Sequence, residues 1–133
     1  MIYPMSTLVP TFQRMVPILY VRDLQAETAF YQALGLQITY QGDDFPGFIA
    51  IGCDQLEFGL ETKPDFDPDS VSRVLAWQFE VASLRPFVQL AEHNRWDYQA
   101  PSCYWEAEDQ WSMSIRTPNG YRLGIEGPNP ATE

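Results

Sequence analysis

The sequence predicts an α+β fold: tandem βαβββ modules forming a curved mixed sheet with a concave cleft. Three observations predict it. Apolar patterning runs strand, helix, three strands over 16–61; the same order restarts after a polar connector; and the two runs match at an offset of 60 residues, Val21 with Val81, Asp23 with Ser83, Leu24 with Leu84 and Leu36 with Trp96. Each half is too small to bury its own sheet face, so the two are expected to share one core.

The elements follow in order. Residues 1–14 hold two prolines and little periodicity, which reads as an extended arm. The first module is expected over 15–63. Val16–Val21 (VPILYV) is a short run of strand formers. Asp23 is a helix N-cap for LQAETAFYQAL, whose apolar residues recur at helical spacing, and Gly35 sits where a C′ glycine belongs. Leu36–Tyr40 is a strand, 42–47 (GDDFPG) a loop, and Phe48–Gly52 and Gln55–Glu61 two strands joined at Cys53-Asp54. The polar stretch 64–73, with its prolines and aspartates, reads as a connector. The second module is expected over 74–127. Val74–Val81 is a strand, and Ser83 caps LRPFVQLAEHN, with Pro86 tolerated in the first turn. Trp96–Gln99 is a short strand, and a loop from Ala100 to Gln110 holds a further extended piece. Trp111–Thr117 alternates, Pro118-Asn119-Gly120 is a hairpin turn, and Tyr121–Glu126 closes the module before a tail at 128–133.

Composition narrows the function. The 133 residues are 45% hydrophobic and 14% aromatic, as a packed globule requires. Eight basic against 18 acidic residues give a net charge of −10. That repels a phosphate backbone or an anionic membrane surface and attracts a cationic small molecule. The single histidine, His93, removes most metal sites and imidazole catalysis; it is expected at a helix C-terminus, facing solvent. Cys53 and Cys103 read as free thiols in a reducing compartment. MIYPMSTLVP lacks the features of a signal segment, and no apolar run approaches the ~20 residues needed to span a bilayer, so a cytoplasmic location is expected.

The stretches VPILYVRDLQAETAFYQALGL and TPNGYRLGIE resemble the first strand and helix and the closing hairpin of the vicinal-oxygen-chelate superfamily, which comprises glyoxalases, extradiol dioxygenases and bleomycin-resistance proteins. VPILYVRDL, GDDFPGF, LAWQFEV and QWSMSIRTPNGYRLGIE are most similar to its bleomycin-resistance branch. That resemblance implies a homodimer with two clefts that bind the drug without reaction. It also implies a first strand exchanged between chains, with Pro17 at the matching position. Superfamily enzymes carry metal ligands at positions matching Val16, a residue near Glu57 or Gly59, Ala76 and Gly124. Valine, alanine and glycine supply no donor, so neither metal nor other cofactor is expected.

In the resistance proteins a phenylalanine in the loop between strands two and three and a tryptophan before the last hairpin stack on the drug. The matching residues here are Phe45 and Trp111. The residues themselves add the acids. From Asp43 to Asp69 there are eight acids and one base, Lys63, and Glu106, Glu108 and Asp109 precede Trp111. The expected ligand site is therefore Phe45, Trp111, Asp43, Asp44, Tyr104, Trp105 and Asp109, with no catalytic residue. Ser112, Ser114 and Cys103 have no nearby histidine base. Glu57, Glu61 and Glu80 are the candidates for a buried carboxylate cluster. Trp77 faces either the cleft or the core. The expected function is sequestration of a cationic aromatic drug of the bleomycin type. The alternatives are a small-molecule enzyme of the same superfamily or a binding module for another metabolite.

Overall fold

The computed structural model describes residues 9–71, 75 and 77–132. Most of the expected arm, the end of the connector, Val74, Ala76 and Glu133 lie outside the described residues. The elements are β1 (Ile18–Val21), α1 (Leu24–Ala33), β2 (Gln37–Tyr40), β3 (Phe48–Cys53), β4 (Leu56–Thr62), α2 (Pro68–Val71), β5 (Trp77–Glu80), α3 (Arg85–Asn94), β6 (Tyr98–Trp105), β7 (Gln110–Arg116) and β8 (Arg122–Pro128). They form two four-stranded sheets with the same topology, β1-β4-β3-β2 and β5-β8-β7-β6. In each, the first strand runs parallel to the last and the other pairs are antiparallel. The tandem βαβββ pattern is therefore the observed fold, carried by two mixed sheets.

Several boundaries differ from the sequence expectation, each for a local reason. β1 begins at Ile18 because Pro17 has no N–H for the ladder, although its carbonyl accepts from Gly59 N at 2.8 Å. α1 is capped as expected, with the Asp23 carboxylate accepting from Ala26 N at 3.0 Å. α3 is not capped by Ser83: its cap is Leu84, without a side-chain hydrogen bond, and Pro86 sits in the first turn. The following strand does not start at Trp96. Arg95 turns left-handed at φ 56°, Trp96 N donates back to Ala91 O, and the Trp96 ring packs 4.6 Å from Phe30. β6 then runs on to Trp105 and absorbs much of the expected loop. It carries Pro101, which an edge strand with a bulge between Gln99 and Ser102 tolerates.

One face of each sheet makes a common core. Phe58 of β4 meets Tyr31 of α1 at 4.9 Å and, across the module boundary, Trp77 and Phe79 of β5 at 5.3 and 6.5 Å. Phe66 stacks on Tyr121 at 5.6 Å. Each such aromatic pair contributes roughly 0.5–1.5 kcal/mol beyond area burial. A polar latch reinforces the boundary: Asn119 bonds to Arg22 N, Asp23 N, Asp23 O and Glu27. Among the described residues, no helix is long and apolar enough to cross a membrane.

Candidate functional site

Strand alternation gives each sheet a second face, turned away from the shared core, that the described residues leave open. On the first sheet, the register aligns Ile18 with Gly59, Tyr20 and Phe48 with Glu61, and Tyr40 with Ala50. Ile18 and Tyr20 keep 51% and 46% of their surface exposed. The Phe48 ring lies over Gly59, where a Cβ would sit 2.6 Å from it, so glycine is what lets the ring lie flat. Phe45, 63% exposed, stands in the loop beyond, 6.3 Å from Tyr40. It borders a hollow of about 520 Å³ together with Asp43, Leu24 and Gly47. Asp44 is exposed beside it. This face sets Glu61 between Tyr20 and Phe48, and Asp43 and Asp44 add acids in the adjoining loop.

On the second sheet the open face is polar. Gln78, Gln99, Ser112, Ser114, Arg122 and Gly124 border a hollow of about 410 Å³. Gly124 forms its floor, in register with Gln78 and Ser114. Tyr104 and Gln78 both donate to the Glu126 carboxylate. That bond raises the Tyr104 hydroxyl above its ordinary pKa, with the charges of Glu126 and Glu80 adding to it. The register places Trp105 beside Gln110, on the same face, and it is exposed.

Trp111 stands apart from these residues. It pairs with Cys103 and Gly127 and shares the core-side face with Met113 and Ile115. It is half-buried against the core, and its indole N–H donates to Asp109 at 2.9 Å, with Asp109 in a left-handed turn. Phe45 and Trp111 therefore belong to different sheets. Trp77 is a core residue, edge-on to Phe58. His93 is exposed at the end of α3, and both cysteines are free.

The three candidate carboxylates do not come together. Glu57 and Glu61 lie on the open face of the first sheet and Glu80 on that of the second. Glu57 is fully engaged: Arg14 holds Oε1 and the Thr39 hydroxyl holds Oε2, both at 2.8 Å. The positions that the sequence resemblance marks for metal ligands do not fit a metal, since Val16 and Gly124 have no donor side chain and Glu57 is committed to two protein partners. Among the described residues, no three His, Cys, Asp or Glu side chains are grouped to hold one.

The paired mixed sheets, with one shared core and two open faces, decide the fold. It is that of the glyoxalase/bleomycin-resistance superfamily. A bleomycin-binding protein crystallised with bleomycin aligns at 18% identity, covering 89% of this chain and 100% of that one, with a TM-score of 0.67. A bleomycin resistance determinant encoded on the transposon Tn5 aligns at 17% identity over 89% and 99% of the two chains, TM-score 0.65. A lactoylglutathione lyase from Agrobacterium tumefaciens aligns at 20% identity over 90% and 96%, TM-score 0.63. No family model and no curated protein matches the sequence. The glyoxalase/bleomycin-resistance fold thus serves a drug-binding protein and a lyase alike, and function must be argued from the site.

Sequence reasoning missed Glu27, Asn119 and Arg122. A signal for Glu27 was present: it sits three residues after Leu24 and three before Phe30, on the helix face that turns inward. The alternation of WSMSIR likewise groups Trp111 with Met113 and Ile115 and sets the serines opposite.

Proposed function

We propose that the chain is a binding protein that sequesters a cationic aromatic small molecule of the bleomycin type, without metal or catalysis, in clefts formed by a homodimer. One observation carries the reading: the open face of the first sheet bears Tyr20, Phe48 and Tyr40, and among the described residues Tyr20 and Tyr40 keep 46% and 36% of their surface exposed. Exposed aromatic surface of this kind marks a binding or association site. A second chain presenting its polar sheet face would close a cleft with one aromatic wall and one hydrogen-bonding wall. Phe45 and Trp105 offer flat faces at the rim, Tyr104 a hydroxyl, and Asp43, Asp44 and Asp109 the charge that steers a cation inward. Trp111 would contribute where its half-exposed indole reaches the cleft edge. Resistance to the drug would follow from lowering its free concentration in the cytoplasm.

The test is titration of the purified dimer with metal-free and copper-loaded bleomycin, following heat and tryptophan fluorescence together. Saturation near one drug per chain supports sequestration. Absence of binding at high micromolar drug removes it. Stoichiometric divalent metal in the purified protein would favour the enzyme alternative.

A further inference from the structure

The open face of the second sheet carries both signs of charge, sorted to opposite ends. β8 presents Arg122, Gly124 and Glu126 to that face at alternate positions. Four residues at about 3.3 Å each separate the two charged positions by about 13 Å. At one end the register sets Arg122 directly beside Arg116 of β7. At the other it sets Glu126 directly beside Glu80 of β5. Like charges in directly opposed positions destabilise a sheet, so each end calls for an opposite charge from outside.

The protein supplies little of that compensation itself. Arg116 reaches Asp69 only at 3.7 Å. Arg122 donates to the Ser114 hydroxyl at 2.9 Å, and Ser114 in turn donates to Gln99 at 3.4 Å. Among the described residues, no carboxylate pairs with Arg122, in a chain that has more than two acids for each base. A guanidinium so aimed offers a two-pronged site for a carboxylate. At the acidic end, Glu126 receives only the neutral donors Gln78 and Tyr104 among the described residues, and Glu80 is exposed. Between the ends Gly124 leaves the floor without a side chain: a Cβ built there would meet nothing closer than 3.4 Å.

We propose that this face binds an extended zwitterion, with its carboxylate on Arg122 and its ammonium group between Glu80 and Glu126. The proposal rests on the cleft reading above and adds an anionic group to the ligand class. An extended tripeptide with free termini spans about 10 Å, and Arg122 and Glu126, which bond to Ser114 and Gln78 on either side of Gly124, lean inward to meet its two charges.

The experiment titrates the full-length protein with the tripeptide Ala-Trp-Ala in three forms: free termini, N-acetylated and C-amidated. The expected result is saturable millimolar or tighter binding of the free peptide, at least tenfold tighter than of either capped form, a difference of about 1.4 kcal/mol. Arg122→Gln should remove the preference for carboxylate over carboxamide and keep the preference for free amine. Glu80→Gln with Glu126→Gln should do the reverse. Equal binding of the free and amidated peptides, an unchanged carboxylate preference in Arg122→Gln, or no binding of the free peptide at millimolar concentration overturns the proposal. The bleomycin titration separates the two readings. Drug binding without carboxylate discrimination leaves sequestration standing and removes the zwitterion. Tripeptide discrimination without drug binding does the opposite.

Discussion

Asn119 holds Glu27 across the boundary between the two modules: its backbone N–H and its side-chain amide both donate to Glu27 Oε1, each at 3.0 Å, from 92 residues away. Both residues are buried. The Asn119 side-chain oxygen Oδ1 meanwhile accepts from Arg22 N and Asp23 N at 2.8 and 2.9 Å, and its side-chain amide also donates to Asp23 O at 2.8 Å. The last turn of the second module therefore caps the start of the first helix. Among the described residues, Glu27 Oε2, the Tyr31 hydroxyl and the Trp77 indole N–H have no well-formed hydrogen bond. Burial pushes the Glu27 carboxyl above its ordinary value of 4.5, against the opposing hydrogen bonds from Asn119. Burial, and then the nearby Glu27 charge, push the Tyr31 hydroxyl well up and that of Tyr121 up to about 12.

Glu27 sets a pH dependence of stability. Its folded pKa lies above its unfolded value, so folding favours the protonated form. The associated stability is full below about pH 4.5 and is lost as pH rises through the folded value. Glu27→Gln keeps an acceptor for Asn119, removes the buried charge and offers a donor to the Tyr31 hydroxyl. Thermal unfolding followed by circular dichroism should place the glutamine variant above wild type at pH 8, with the gap closing as pH approaches 4.5. A variant less stable than wild type at pH 8 would show that the ionised carboxylate stabilises the latch.

Asn119→Ala deletes four hydrogen bonds and takes the side-chain partner from the part-buried backbone groups of Arg22 and Asp23. At roughly 1 kcal/mol for each bond lost the four sum to about 4 kcal/mol, and because three of them are part-buried, water recovers a share, so the expected cost is about 3 kcal/mol. Urea unfolding measures it. A loss under about 1 kcal/mol would mean that water replaces the side chain at little cost.

The uncovered face of the first sheet predicts an assembly. Ile18→Asp puts a charge among Tyr20, Phe48 and Gly59 on a side chain that is half exposed in the single chain. Sedimentation should give a dimer for wild type and a monomer for the variant, with the monomer's stability within about 1 kcal/mol of that expected for an exposed substitution. A variant that remains dimeric would place the interface elsewhere.

The sequence made the element order and the internal repeat legible because both rest on local periodicity and on residue types that recur at matching positions, such as Val21 with Val81. What it hid was pairing between distant strands. Arg116 and Arg122 look like two unrelated bases on a hairpin until the register sets them side by side, and Glu80 and Glu126 meet only because β5 runs parallel to β8. Asn119 reads as a turn former in Pro118-Asn119-Gly120, and that role is observed: Gly120 takes φ 89° and its N–H donates to Thr117 O at 2.9 Å. Its second role, as the latch on α1, depends on how the modules dock. The strand ends slipped where a local device overrode propensity, as at Trp96, which closes α3 before β6 begins.

Phe45 and Trp111 are expected to respond differently to truncation, and the difference tests how the cleft is built. Phe45 is 63% exposed in a loop, with its ring 6.3 Å from that of Tyr40 in an edge-on arrangement. Phe45→Ala should leave stability within about 0.5 kcal/mol. If the ring stacks on a bound drug, it should weaken binding by about 1–3 kcal/mol. Trp111 lies on the core side of β7 beside Met113, with its indole tied to Asp109. Trp111→Ala opens space against the core and should cost about 2 kcal/mol of stability, roughly half that of a fully buried tryptophan. Paired calorimetry and urea unfolding on both variants read the two effects separately. Trp111→Ala that weakens binding by the same 1–3 kcal/mol with stability intact would place its indole in the ligand cleft. Stability loss with binding intact would make it a packing residue and leave Phe45, Tyr104 and Trp105 as the aromatic contacts.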